Sequence, residues 1–234
     1  MTITLHRAGR SGLAPRPPRS WPLPVALVLL SLVPVIAGTL RLVQLLGGPA
    51  VIHADHRFDS SPAPVVVHVV GAIVFALVGV LQLVPRFRRR HLRWHRRAGR
   101  VLAVAGLLVA GSALWMTLFF EQKAGTTDLL YAFRLVFSAG MAACLVLGVT
   151  SVRRGDLAAH RAWMIRAYAI AVAAGTQAFT VGLGGALIGT SGIRYDALMG
   201  AAWVINLGIA EWAIRRPARR ARRAHAAALA QVLA

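Results

Sequence analysis

The chain has 234 residues, 57% of them hydrophobic, with 27 Lys and Arg against 7 Asp and Glu and a net charge of +20. A mean hydropathy of +0.63 exceeds what a water-soluble domain of this length carries, which sets a soluble core aside. So positive a chain would suit nucleic acid, but the arginines sit in short clusters between long apolar runs, the pattern that orients a membrane protein, and nucleic acid is excluded as a partner on that ground.

A hydrocarbon layer of about 30 Å needs about 20 apolar helical residues, because only a helix satisfies its own backbone hydrogen bonds in lipid. After a basic tail over 1–20, six segments meet that length: about 21–41, 64–84, 98–120, 129–150, 163–187 and 197–214. A second basic tail covers 215–234. The expected fold is therefore all-α, a polytopic transmembrane bundle of about six spans. The first span follows a basic stretch, as a signal peptide would, but it is longer than a typical signal core and lacks a small-x-small cleavage site, so an uncleaved anchor is expected. Ser11 to Pro24 and the stretch from Pro217 onward read as largely unstructured tails, with an interfacial helix on anionic lipid as the alternative for the second.

Orientation follows from the basic residues. The N-terminal tail, the stretch from Arg86 to Arg100, the stretch from Arg153 to Arg166 and the C-terminal tail hold 22 of the 27. Only Arg41, Arg57, Lys123, Arg134 and Arg194 fall on the other side, together with five of the seven acids. Both termini are expected in the cytoplasm, facing anionic headgroups, and an even number of spans follows independently of hydropathy.

Ionisable or amide groups inside spans are costly and therefore informative. His68 lies about one turn into the second span, and Gly71, Phe75, Gly79 and Gln82 return to its helical face. That stripe reads either as helix packing, with His68 and Gln82 bonding across it, or as a ligand-bearing face. Two His-Arg pairs recur before the third and fifth spans, His95-Arg96 with Arg100 nearby and His160-Arg161 with Arg166 nearby. If spans two-three and four-five are copies of one hairpin, His95 and His160 sit at one depth on neighbouring helices, as two axial ligands of a haem iron would, with the arginines placed to meet propionates. The plainer alternative is that these residues grip headgroups beside Trp94 and Trp163. The string from His53 to Asp59 mixes imidazoles and carboxylates but matches no specific metal site, so a solvated loop is expected. Gln177 falls eleven residues after Arg166 and hence on its face if the helix is continuous, while Asn206 and Glu211 lie in the sixth span, Glu211 near enough to the inner boundary for Arg166 or Arg100 to offset its charge. Cys144 has no partner cysteine, and no phosphate loop, nucleophile elbow or zinc-protease helix is present.

The ordered set His68, Gly71, Gln82, His95-Arg96, Gly99-Arg100, His160-Arg161, Trp163-Met164-Ile165-Arg166, Tyr168, Trp203, Asn206 and Glu211 resembles domain-of-unknown-function family 2306, over about Pro64 to Glu211. The HRxWMIRxY string is its most specific piece. The resemblance implies a multi-pass protein of a bacterial cytoplasmic membrane and names no reaction; more loosely it implies kinship with haem-carrying bundles of the cytochrome b561 kind. Where that pattern would place an arginine in the middle of the fifth span, this chain has Gln177. With His68 the sole histidine in the outer half of a span, one haem at most is expected, held by His95 with His160 or by His68 with a loop histidine. Three functions stay open: a protein binding one b-type haem and moving electrons in the membrane with a quinone or membrane-protein partner, a carrier for a small solute or proton lined by His68, Gln82, Gln177, Asn206 and Glu211, and a non-catalytic assembly component.

Overall fold

The computed structural model describes residues 22–53 and 55–233, with side chains through Arg216 and at Gln231. The basic tail over 1–20 and Trp21 lie outside the described residues. Every long element is a helix. Helix α1 covers Pro22–Leu45, α2 Ala63–Leu83, the short α3 Pro85–Arg90, α4 Leu92–Phe119 and α5 Asp128–Arg153. Then come α6 over Leu157–Ala171, α7 over Ala173–Phe179, a π turn over Thr180–Gly184, α8 over Gly185–Ile188 and α9 over Ile193–Leu233. Five of these, α1, α2, α4, α5 and α9 to Arg216, are long and apolar enough to cross a membrane. Helix α6 with α7 and α8 forms a pair bent by 42°, apolar enough to make a sixth crossing if the pair is one broken span.

Several boundaries differ from those read off hydropathy. Helix α1 runs past Arg41, because that side chain folds back onto Gln44 Oε1 and the His53 carbonyl and so leaves the helix axis free to continue. Helix α4 begins at Leu92, so the first His-Arg string is helical, and α6 likewise takes in His160-Arg161. Hydropathy stops counting at charged residues, whereas a helix continues through arginines whose heads reach water or headgroups. Helix α9 continues to Leu233, so the stretch from Pro217 is helical rather than unstructured.

Helices α2, α4, α5 and α6 form a ring. Helix α2 packs on α4, α4 on α5 and α5 on α6. Tyr168 of α6 closes the ring by donating to the Ala76 carbonyl of α2 at 2.9 Å while its ring lies over Gly79, where a Cβ would come within 2.6 Å of it. Phe75, Val109, Met141, Leu145 and Tyr168 fill the middle. Helix α1 stands outside against α2 and α7, and α9 covers α6 and α7. Valines, leucines and isoleucines such as Leu29, Ile36, Val104, Leu108, Val204 and Ile209 point outward, an apolar belt suited to lipid.

The break between α6 and α7 has a physical basis in side chains elsewhere. At Val172 the α6 ladder ends, which frees backbone carbonyls that lipid cannot satisfy. Asn206 of α9 donates Nδ2 to the Ala169 carbonyl at 3.1 Å and accepts from Thr176 Oγ1 at 2.9 Å. Gln177 Nε2 reaches the Met199 carbonyl at 3.3 Å. Helix α7 also approaches α1 so closely that a Cβ on Gly175 would lie 2.0 Å from the Leu30 carbonyl oxygen.

Candidate functional site

At the arginine-rich end, His95 and His160 occupy equivalent places. Each is the fourth residue of its helix, and their amides bond to the capping residues His91 and Asp156. Asp156 also accepts from the Ala159 amide at 2.9 Å, which sets the direction in which α6 enters the bundle. The two helices are not neighbours: α4 and α6 face each other across the ring, with α5 and α2 between them. The expectation of adjacent helices is corrected on this point, because α5, the first helix of the second supposed hairpin, stands between α4 and α6. His95 and His160 nevertheless lie close enough to interact electrostatically, and Arg88 of α3 and Arg96 also act on His95.

His160 Nδ1 donates to the Gly148 carbonyl of α5 at 2.9 Å. In the neutral ring that bond leaves Nε2 as the nitrogen that can ligate or accept. His95 Nδ1 is buried without a hydrogen-bond partner, as are both polar atoms of the Gln82 amide. The α2–α4 register brings Gln82 toward the start of α4: His68 meets Val109 and Ser112, Gly71 meets Ala105 and Val109, and Phe75 meets Gly106, so Gln82 falls opposite the first turns of that helix. Gln82 therefore does not bond across the stripe as expected. Two side chains with unspent polar atoms, Gln82 and His95, thus lie where α2 and α4 reach the arginine-rich surface.

Arg96, Arg100 and Arg161 are exposed around this end. Arg166 is turned inward and used: its guanidinium stacks on Trp163 at 4.7 Å and donates to Glu211 at 2.5 Å, with Arg215 on the other carboxylate oxygen at 3.2 Å. Glu211 is thereby a structural ion pair tying α6 to α9.

The remaining polar candidates are engaged elsewhere. His68 Nδ1 lies 3.1 Å from the Val109 carbonyl and 3.2 Å from Ser112 Oγ, so the imidazole ties α2 to α4, with Gly71, Phe75 and Gly79 as the packing stripe below it. Gln177 and Arg166 both turn toward α9, one on each side of the 42° break, Gln177 onto the Met199 carbonyl and Arg166 onto Glu211. The string after His53 is a short 3₁₀ turn in which Asp55 grips Arg57 through both oxygens and His56 meets Asp59 at 2.8 Å. The Arg57 guanidinium holds the Asp55 carboxyl below the ordinary carboxylate range. Among the described residues no group of three His, Cys, Asp or Glu is placed to hold a metal ion.

Two residues at the opposite end carried no signal that singled them out. Asp196, fully buried in the first turn of α9, accepts from the Thr127 amide at 2.8 Å, the Thr127 hydroxyl at 2.6 Å and the Leu130 amide at 3.2 Å, capping α5 from another helix. Arg134 lies half-buried beside it; position within a span was the one available clue.

Five long apolar helices, a bent sixth and an apolar outer belt define a multi-pass integral membrane protein. The chain belongs to domain-of-unknown-function family 2306, described as "Predicted membrane protein", whose family profile matches residues 65–214. No curated protein and no solved structure matches it.

Proposed function

We propose that this protein is an electron relay of the bacterial cytoplasmic membrane, with both termini in the cytoplasm, that carries one b-type haem between His95 and His160. The observation that carries this reading is the pairing of two imidazoles, each at the fourth position of its helix, across the ring from one another at one end of the bundle. The donor set fits the group. His160 has its Nδ1 proton committed to the Gly148 carbonyl and its Nε2 free, the arrangement of a histidine prepared to bind iron. His95 would supply the second nitrogen, and a buried imidazole edge without a partner is what a site prepared for a ligand leaves behind. Arg88, Arg96, Arg100 and Arg161 offer guanidinium groups for propionates at the same surface.

When bound, the haem supplies reversible one-electron chemistry. The protein's own part is to orient two imidazoles and to offset propionate charge. The Gly148 carbonyl keeps His160 from turning. The carrier reading draws less support, since His68, Gln177 and Asn206 spend their polar atoms on different helix joints rather than on one path.

The test is optical. After expression with added haem precursor, the protein purified in detergent should show a Soret band that shifts with dithionite, and His95→Ala or His160→Ala should abolish the bis-imidazole spectrum. A wild-type preparation without a Soret band refutes the assignment.

A further inference from the structure

At the end of the bundle opposite His95, and independently of the haem reading, the last turn of α1, the 3₁₀ turn and the start of α2 surround an open cavity of about 350 Å³. That volume falls within the range of about 300–1,000 Å³ that small-molecule sites occupy. Helices α1 and α2 run antiparallel here: Gly38 meets Val69, and seven residues further along each chain Leu45 and Pro62 share the cavity wall. The cavity therefore lies where two apolar runs end, at the depth of a headgroup layer. Its ionisable lining is Arg41, Asp55, His56 and Asp59. Asp55 is closed on Arg57 through both oxygens. Arg41 is near enough to act on the Asp55 charge, but it makes no ion pair among the described residues and spends two of its five N–H groups on neutral oxygens, Gln44 Oε1 at 2.7 Å and the His53 carbonyl at 3.0 Å. Asp59, its side chain 63% exposed, meets the His56 imidazole through Oδ2 and has no bond on Oδ1 among the described residues. One guanidinium and one carboxylate, each with bonding capacity left, thus line the same cavity.

We propose that this cavity holds the headgroup of a zwitterionic phospholipid with a primary ammonium, of the phosphatidylethanolamine kind, its phosphate on Arg41 and the Gln44 amide and its ammonium on Asp59. A planar guanidinium suits phosphate oxygens, and a primary ammonium brings three N–H donors to a carboxylate. An anionic headgroup would leave Asp59 facing a like charge, and a quaternary ammonium has no N–H to donate. Leu45, Phe58 and Pro62 supply an apolar wall for the glycerol ester region. Deeper in the membrane, Ile36 and Val43 of α1 and Val66 and Val70 of α2 are exposed and offer acyl chains an apolar surface that a soluble zwitterion would leave unused.

The test uses the full-length protein in detergent and native mass spectrometry, with phosphatidylethanolamine, phosphatidylcholine and phosphatidylglycerol of identical acyl chains as probes. Phosphatidylethanolamine should be retained about tenfold better than either of the others, as one charge-assisted hydrogen bond implies. Asp59→Asn should bring it down to the level of phosphatidylcholine, whose own retention stays the same. Arg41→Gln should weaken both lipids alike, since both carry the phosphate, while Lys123→Gln, a cation of the same end, should change neither. If Arg41→Gln does not fold, Asp59→Asn, on an exposed turn, decides alone. Glycerophosphoethanolamine, the headgroup without acyl chains, should fail to displace the lipid at equal concentration. Equal retention of the three lipids, unchanged selectivity in Asp59→Asn, or an equal loss in Lys123→Gln overturns the proposal. Displacement by the chainless headgroup overturns it too, by making a soluble zwitterion the occupant.

Discussion

Replacing Asp196 separates the roles of charge and of hydrogen-bond geometry at the α5–α9 joint. One buried oxygen accepts from two backbone amides and a hydroxyl at the start of α5, where the helix dipole also favours a negative charge. Asp196→Leu strands the partly buried Thr127 amide, while the Leu130 amide keeps the Thr127 carbonyl at 3.2 Å and the Thr127 hydroxyl can turn away. One unsatisfied donor at about 1–3 kcal/mol, with about 0.3–1 kcal/mol of lost dipole interaction, gives a destabilisation of about 1–4 kcal/mol. Asp196→Asn keeps an acceptor of the same shape and loses chiefly the charge, for about 1–2 kcal/mol. The gap between the two variants is the signature. It should be read by chemical unfolding in detergent, with hydrogen exchange of the amides of residues 127–131 as the local probe, faster in the leucine variant than in the asparagine one. Equal unfolding of the two variants with unchanged exchange would refute the claim that Asp196 caps α5.

Two further outcomes are expected. Gly175→Ala should destabilise by about 1–3 kcal/mol, because its Cβ meets the backbone of Leu30 and α1 must move to admit it; Gly182→Ala, with nothing within 4 Å, is the neutral comparison in the same thermal unfolding series. The Asp55 carboxyl has its folded value depressed by Arg57, so its contribution to stability is complete above the ordinary carboxylate value and is lost as pH falls through the folded one. Asp55→Asn should therefore flatten the acid limb of the stability profile; an unchanged limb would show that this turn contributes nothing measurable.

The candidate site was legible in part. His95 and His160 were marked by their matching His-Arg strings, and the pair of Arg166 with Glu211 was one of two partners their depths allowed. Their arrangement across the ring was not legible, because it depends on α5 inserting between α4 and α6. Gln82 and His68 share a stripe on α2, yet one is spent on α4 and the other has no partner, a distinction that belongs to the opposing helix. Asp196 acts on residues 66 and 69 positions away, beyond any local pattern.

Membrane class and the five long apolar helices were determined by sequence alone, because apolar length is a property of each segment and does not depend on its neighbours. The bend at Val172 was decided only in three dimensions. No proline or glycine marks it in the run from Met164 to Ala174, and it persists because Asn206, Thr176 and Gln177 satisfy polar groups at the joint between α6, α7 and α9. That Arg134 has no hydrogen bond or ion pair among the described residues was decided in the same way, by Asp55 closing on Arg57 and Asp196 turning Oδ2 toward the start of α5.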